Sequence, residues 1–198
     1  NVDILLSTDS KSYYKHANKY IKEKSRNSVL NFHQRSEKNS NSISTLEDVI
    51  DEILEDNYIK LKYKDIFVHQ CTSPFIKIST ISKIINKYES DKLDSIFSVF
   101  ASHPFIWRIQ KNIQKDIYAP LFDNSLPRKG TNKIENIFFE TGAIYGFNIK
   151  GYLEKRKRTF GKTYPFKVSK NESLDIDDYE DLRVANLLYP ALKNELFN

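Results

Sequence analysis

Two aspartates near the end of the chain, Asp175 and Asp177, are separated by one apolar residue, Ile176. In an extended segment, side chains two positions apart point to the same face, so both carboxylates can face one spot while Ile176 turns back into the protein. Paired carboxylates on a fixed backbone suit a hard divalent cation such as Mg²⁺, which usually shares its oxygen ligands with substrate phosphates. For an isolated pair of this kind, the alternative is a solvated turn before a helix.

Two other polar segments follow predicted strands. Ser7-Thr8-Asp9 comes after an apolar run at residues 2–6, and Gln70-Cys71-Thr72-Ser73-Pro74 comes after a compact buried-strand pattern at residues 65–68. In sheets of mostly parallel strands, ligands bind outside the carboxyl ends of the strands. Both segments are therefore predicted to lie at the ligand-binding edge of a sheet.

The elements that must position these residues alternate along the chain. Apolar patterning predicts strands at 2–6, 29–32, 65–68, 95–100 and 142–147, and helices ending near 24, starting near 44, covering 78–88 and starting near 178. This alternation predicts an α/β domain with a mostly parallel sheet covered on both faces. Residues 102–140 break the alternation, and an excursion of that length is usually functional or an interface.

Composition narrows the class of protein. With 39% hydrophobic and 13% aromatic residues over 198 positions, the chain is predicted to form one globular domain, 1–198. No apolar run is long enough to span a bilayer, so no membrane partner is expected. The single cysteine, Cys71, excludes an internal disulfide framework, fits a cytoplasmic location and is predicted to be a small buried residue.

The net charge of +5 raises the question of nucleic-acid binding. The densest basic run is Lys155-Arg156-Lys157-Arg158, but lysines elsewhere are interleaved with 26 acidic residues. A solvated surface, or attraction of a polyanionic small substrate such as a nucleoside triphosphate, explains these charges better. No nucleic-acid partner is therefore predicted.

Short segments along the whole chain match, in order, the motifs of one enzyme family. They are Leu6-Ser7-Thr8-Asp9, Arg35-Ser36 with Asn41, Ser44 and Thr45, His69-Gln70-Cys71-Thr72-Ser73-Pro74-Phe75-Ile76, Asp94-Ser95-Ile96-Phe97-Ser98-Val99, Thr141-Gly142-Ala143-Ile144-Tyr145, and Ser173-Leu174-Asp175-Ile176-Asp177 with Asp181. On these residues the chain resembles the N-acylneuraminate cytidylyltransferases, also called CMP-sialic acid synthetases. The motifs are jointly specific, although none is specific alone.

The resemblance implies a Rossmann-like three-layer α/β sandwich of the nucleotide-diphospho-sugar transferase type. It implies that the anomeric hydroxyl of a nonulosonic (sialic-type) acid attacks the α-phosphate of CTP and expels pyrophosphate, with Mg²⁺ or Mn²⁺ held by the catalytic residues Asp175 and Asp177. It also implies a homodimer, in which residues 102–140 form a dimerisation arm with Phe105, Trp107, Tyr118 and Phe122 at the interface. A hydrophobic flap over the same domain is the alternative for this segment.

The resemblance further implies a set of substrate-binding residues. These are Gln70, Ser73, Arg35, Ser44, Thr45, Arg128, Lys129, Gly142, Tyr145 and Lys162. Some have simpler explanations: Gln70 as a buried glutamine that fixes a loop, Arg35 as a surface arginine, and Arg128 and Lys129 as loop charges.

The chain also departs from the family pattern. The family opens with a strand and a Gly/Arg/Lys-rich loop around the triphosphate, which we expect immediately upstream of Asn1, since the chain contains no methionine. Cys71 replaces a proline, Ile76 an arginine and Asn41 an aspartate. Two alternatives stay open: a degenerate, non-catalytic binding or assembly subunit, and a cytidylyltransferase for 3-deoxy-manno-octulosonate. Phosphatase chemistry is disfavoured, because it needs its aspartate pair after an early strand.

Overall fold

The computed structural model describes residues 3–24, 29–102, 107–110, 117–120 and 137–197. These residues form two compact units, one of Asn1–Ile66 with Asn148–Arg158 and the other of Phe67–Phe147 with Thr159–Asn198. In chain order the helices and strands are β1 (Ile4–Thr8), α1 (Lys11–Lys24), β2 (Leu30–Gln34), α2 (Leu46–Leu54), α3 (Asn57–Lys62), β3 (Asp65–His69), α4 (Ile78–Ser90), β4 (Ser95–Ser102), β5 (Trp107–Gln110), β6 (Ile117–Pro120), β7 (Ile137–Asn148), α5 (Ile149–Lys155), β8 (Thr163–Lys167) and α6 (Tyr179–Leu196). The prediction of a single domain with an arm stays a prediction.

The first unit begins with a β-α-β segment. Strands β1 and β2 pair in parallel, and helix α1 connects them, with Tyr14 of α1 stacked on Phe32 of β2 at 4.4 Å between ring centroids. The apolar run at residues 2–6 predicted this first strand, which an apolar run would place in the core, but its side chains are not buried. Ile4 and Leu5 are 46% and 37% exposed, because β1 belongs to a two-stranded sheet that leaves much of its surface uncovered.

Helices α2 and α5 of the first unit are joined by polar contacts. The Tyr152 side chain is fully buried, and its hydroxyl donates to Asp51 Oδ1 at 2.8 Å. Burial and this bond to Asp51 raise the pKa of the Tyr152 hydroxyl. Arg158 Nε donates to Glu47 Oε1 at 2.7 Å, and Arg156 also pairs with Asp51. Two of the four basic residues in the run at 155–158 therefore bind acidic side chains of α2.

The second unit contains a four-stranded sheet in the order β3-β7-β4-β8. Strand β8 runs parallel to β4, whereas β7 runs antiparallel to it, so this sheet is mixed. The prediction of an α/β fold is confirmed, while the sheet in this unit contains an antiparallel strand that the sequence pattern did not reveal. Strands β5 and β6 pair with each other antiparallel.

Two hydrophobic clusters pack the second unit. One is centred on the sheet and α4, and consists of Ile76, Ile84, Tyr88, Leu93, Ile96, Ala143, Ile144 and Val168. The other holds α6, and consists of Phe75, Ala185, Leu192 and Leu196, with Leu174, Ile176 and Leu188 packed against it. The neighbours Phe75 and Ile76 belong to different clusters, so the chain just after Pro74 is fixed from two sides.

Several features were not predicted. Strand β7 is twelve residues long rather than six, because its first half contains the polar pair Glu140-Thr141, which resembles a break in the sequence pattern. The short elements α3, α5 and β8 were also missed. Phe105, Phe122, Arg128 and Lys129 lie outside the described residues, so the proposed arm stays a prediction. Every helix in the described ranges is too short or too polar to cross a lipid bilayer.

Candidate active site

The second unit brings Ser73 and Asp175 into direct contact. Ser73 lies in the loop after β3 and is 1% exposed, and its hydroxyl donates to Asp175 Oδ1 at 3.1 Å across 102 positions of the chain. A second bond supports this contact, from the Ile176 backbone N–H to the Thr72 carbonyl at 2.9 Å. The two segments that the sequence analysis singled out are therefore adjacent in the structure.

Gly142 lies beside both segments. It has a φ of +74°, which favours glycine, and a Cβ at this position would lie 3.2 Å from Gln70 Oε1 and 3.5 Å from Asp175 Oδ2. The backbone reinforces the contact, because the Gln70 N–H donates to the Ala143 carbonyl at 3.1 Å. Gln70, Ser73, Gly142 and Asp175 therefore form one cluster, which we call the Asp175 cluster.

An irregularity in β7 places Gly142 there. The pairing of β7 with β4 shifts between Phe97 and Val99, so that Ser98 faces the segment 141–144. Two buried hydroxyls replace the interrupted backbone bonds: the Ser98 and Thr141 oxygens are 2.6 Å apart, and the Ile144 and Ala143 N–H groups donate to them at 3.0 and 3.2 Å. This bulge aims the Ala143 carbonyl at Gln70.

Asp177 is exposed, whereas the preceding residue, Ile176, points inward. Ile176 and Leu174 pack against the cluster around α6, which confirms the inward position predicted for Ile176. The Asp177 N–H donates to Asp181 Oδ2 at 3.1 Å, while Asp178 and Asp181 form the capping box of α6. Within the described part of the chain, the Asp177 carboxylate has no hydrogen-bond or ion-pair partner.

The donor set suits a divalent cation that is shared with a substrate. No group of three or more metal-binding side chains occurs among the described residues, so a fully protein-bound metal is not indicated there. Asp175 and Asp177 supply carboxylate oxygens only, and Mg²⁺ is commonly held by one or two carboxylates together with substrate phosphates. The residues present fit that kind of site.

The predicted nucleotide-contacting residues lie in the first unit. Arg35 Nη2 donates to the Ser7 carbonyl at 3.1 Å, and its buried Nε has no partner among the described residues. Thr45 is the N-cap of α2, and its hydroxyl exchanges hydrogen bonds with Asp48. Ser44 Oγ donates to the Lys38 carbonyl at 2.9 Å. Thr45 and Ser44 therefore already have local structural roles.

A polar network behind Arg35 was missed by the sequence analysis. The Ser7 hydroxyl and His33 Nδ1 are 2.9 Å apart, and His33 Nε2 lies 3.6 Å from Glu52 Oε1. Glu52 also accepts bonds from the Ser36 N–H and hydroxyl at 2.7 and 2.9 Å. Burial lowers the pKa of His33, and nearby Arg35 adds to this effect, although Glu52 opposes it. The sequence signal that could have revealed this network is Glu52, a charged residue on the inner side of the predicted helix α2.

The remaining predicted residues lie elsewhere. Tyr145 is buried on β7, and its hydroxyl donates to Glu140. Lys162 precedes β8, where its ammonium donates to the Asp91 carbonyl at 2.6 Å, so no contact joins it to the Asp175 cluster in the described structure. Arg128 and Lys129 lie outside the described residues. Cys71, predicted to be buried, is exposed, because it occupies the turn that leads from Gln70 to Ser73.

No family model matches the chain, but comparison with known proteins finds relatives with similar sequences. An N-acylneuraminate cytidylyltransferase from Streptococcus agalactiae serotype V is 26% identical over 183 residues, which are 90% of this chain and 40% of the relative. The protein of the same name from serotype III is 25% identical over 181 residues, with the same coverage. The chain therefore spans about 40% of the length of the curated relatives it matches.

Two solved structures share the fold. A 4-diphosphocytidyl-2C-methyl-D-erythritol synthase from Anaerococcus prevotii aligns with a TM-score of 0.61 and 14% identity, covering 95% of this chain and 81% of its own. A CMP:2-keto-3-deoxy-manno-octonic acid synthetase complexed with CTP aligns with a TM-score of 0.56 and 12% identity, covering 96% and 81%. The resemblance to N-acylneuraminate cytidylyltransferases is confirmed, and the chain has the α/β fold of these two solved structures.

Proposed function

We propose that the protein transfers CMP from CTP to an acidic sugar of the nonulosonic class. In this reaction the anomeric hydroxyl oxygen forms a bond to the α-phosphorus, the bond from that phosphorus to the β-phosphate oxygen breaks, pyrophosphate leaves, and the hydroxyl proton is released. The observation that carries the proposal is the Ser73–Asp175 hydrogen bond, which unites the two most specific motifs next to Gly142 and Gln70. The similarity to the curated relatives over 90% of the chain supports it.

Asp177 and each residue of the Asp175 cluster have a task in this proposal. Asp175 and Asp177 hold Mg²⁺ or Mn²⁺, which when bound neutralises charge that develops on the phosphates. The Ser73 hydroxyl orients one oxygen of Asp175 and leaves the other for the metal. Gln70 can donate and accept hydrogen bonds, as recognition of a polyhydroxylated sugar requires. Gly142 keeps the space between Gln70 and Asp175 open.

Following the resemblance, we propose that Arg35 contacts the nucleotide. Its guanidinium carries a permanent positive charge and five donors, and the buried Nε has no partner among the residues described. A guanidinium of this kind suits a phosphate or a base carbonyl. We further propose a homodimer as the functional assembly, following the resemblance.

Pyrophosphate release tests the proposal directly. The product of the complete reading frame is incubated with CTP, Mg²⁺ and a panel of keto acid sugars that includes nonulosonic acids and 3-deoxy-manno-octulosonate. Release with one sugar, abolished in Asp177→Asn, establishes the reaction and names the substrate. Release with the eight-carbon acid alone assigns the alternative substrate. No release with any sugar from the folded protein favours the non-catalytic subunit.

A further inference from the structure

Glu172 is a buried carboxylate that the proposed chemistry does not use. It is 5% exposed, although it lies in a short turn after β8. One oxygen accepts the Ser169 hydroxyl at 2.8 Å and the Ser169 N–H at 3.2 Å, and the other accepts the Lys77 N–H at 3.3 Å. The Thr80 side chain also donates to it. Burying a carboxylate costs free energy unless the carboxylate is hydrogen-bonded. Here, hydrogen bonds from the protein replace the water that Glu172 loses on burial.

These bonds connect the turn to the start of α4. Lys77 is the N-cap of α4, and its own side chain makes no capping bond. The Glu172 carboxylate serves as the capping group instead. Its negative charge lies at the N-terminal end of α4, where the helix dipole favours negative charge. Burial alone would raise the pKa of Glu172, but the hydrogen bonds from Thr80, Ser169 and Lys77 outweigh burial and lower it, so the group stays ionised.

The location of these contacts relates Glu172 to the Asp175 cluster. The loop of Gln70 and Ser73 runs directly into α4, and Asp175 follows Glu172 by three residues. The two segments are therefore joined twice. Glu172 joins them at one end, and the Ser73–Asp175 and Ile176–Thr72 bonds join them at the other.

We propose that Glu172 is a positioning residue, which fixes the Asp175 segment against the loop of Gln70 and Ser73 and thereby sets the orientation of Asp175. Its effect on catalysis rests on the proposed function, whereas its effect on the two segments does not. A glutamate that only stabilised the fold would affect the free energy of unfolding without changing the turnover of the folded protein.

The test replaces the carboxylate by an amide of the same shape, Glu172→Gln, in the product of the complete reading frame. The amide turns an NH₂ donor toward groups that are themselves donors, so the join to α4 weakens. We expect faster hydrogen–deuterium exchange at the Ile176 amide, a kcat for pyrophosphate release about tenfold lower, and a KM for CTP within about twofold of the original, because displacement of a catalytic group affects the chemical step most.

Glu195→Gln is the matched control. Glu195 also contacts Lys77, through an ion pair of 2.5 Å with the ammonium, but it is half exposed and belongs to α6 rather than to the turn. We expect its kcat and its Ile176 exchange to match the original protein. Should Glu172→Gln unfold, Thr80→Val removes one donor to Glu172 while keeping the side-chain shape. The same changes, smaller in size, are then expected.

The outcomes separate this inference from the proposed function. Unchanged Ile176 exchange in a folded Glu172→Gln or Thr80→Val variant overturns the positioning role, whatever the activity. A lower stability with unchanged kcat overturns its catalytic part. If the unmodified protein releases no pyrophosphate, the proposed function fails, and exchange at Ile176 still decides whether Glu172 holds the two segments together.

Discussion

The predicted site residues of the two units differ in what their side chains contact. In the second unit, Ser73 reaches Asp175 across 102 positions, and Asp175 lies close to Gly142. In the first unit, Thr45 contacts Asp48, three positions away, in an ordinary capping box. A helix cap explains the second contact completely, whereas no local element explains the first. Among the predicted site residues, Ser73 and Asp175 are therefore distinguished from Thr45, whose contact the local fold already requires.

Arg35 is the exception in the first unit. Its Nη2 is bound to the Ser7 carbonyl, but its buried Nε has no partner within the described ranges. A buried donor without a partner costs free energy, typically about 1–3 kcal/mol. Among the described residues, its Nε is a buried side-chain donor without a hydrogen-bond partner, which no local element explains.

The largest expected effect comes from removing a carboxylate charge in the second unit, at Asp175 or Asp177. We expect Asp175→Asn and Asp177→Asn each to lower kcat by about 10²–10³-fold, because each removes a negative oxygen proposed to hold the metal. Thermal unfolding should change little for the exposed Asp177. Glu180→Gln, an exposed change two residues after Asp178, is the control and should retain activity. Full activity in Asp177→Asn would contradict the proposed metal site.

A methyl group at Gly142 should produce the next largest effect. In Gly142→Ala the Cβ lies 3.2 Å from Gln70 Oε1 at a φ of +74°, so we expect about tenfold lower kcat and about 1–2 kcal/mol lower stability. Gly161 provides the contrast. Its φ is +62°, and a Cβ there would lie 2.2 Å from Asp94 Oδ2, away from the Asp175 cluster.

Gly161→Ala should therefore cost at least as much stability as Gly142→Ala, about 2 kcal/mol, while the folded fraction keeps its kcat. Urea unfolding and activity measured on the same samples compare the two. If both variants lose kcat in proportion to stability, Gly142 has no special relation to the site.

The first unit supplies a smaller effect at Thr45. We expect Thr45→Ala to lower stability by about 1 kcal/mol through loss of the cap, and to leave the KM for CTP within about twofold. Thr45→Ser keeps the hydroxyl and should restore stability. A KM that rises well beyond twofold in Thr45→Ala would show that the hydroxyl contacts the nucleotide, as the resemblance implies, in addition to capping α2.

Sequence patterns predicted the elements with strong periodicity and the residues in the most specific motifs. Helix α2 was predicted from its apolar residues, and the α/β alternation gave the correct fold class. The antiparallel direction of β7 could not be predicted, because residues that face a buried surface look alike in either direction. The bulge at Ser98 and Thr141 was also hidden, since buried hydroxyls in a strand resemble an interruption until their partners are known.

The residues of the predicted site also divide into those that sequence motifs reveal and those that they do not. Asp175 and Ser73 were predicted because each lies in a recognisable motif, and the structure brings the two side chains into contact. Glu172 and Glu52 carry no motif, because a carboxylate that organises a loop needs only nearby N–H and hydroxyl donors, which many sequences supply. Lys162 was predicted from a family-like segment, and its role in binding substrate stays a prediction, with its ammonium bound to the Asp91 carbonyl in the structure.

The smallest predicted effect concerns His33 and the pH dependence of stability. Burial and Arg35 lower the pKa of His33 below its usual value of 6.5, so the folded protein favours the neutral ring. As the pH falls through 6.5, the unfolded chain binds a proton before the folded one does, and the free energy of unfolding decreases. Urea unfolding at pH 7 and pH 5.5 should show this decrease, by less than about 1 kcal/mol, and His33→Asn should reduce it. His16→Asn, on the exposed surface of α1, is the control, and an equal decrease in all three proteins would mean that His33 is not its source.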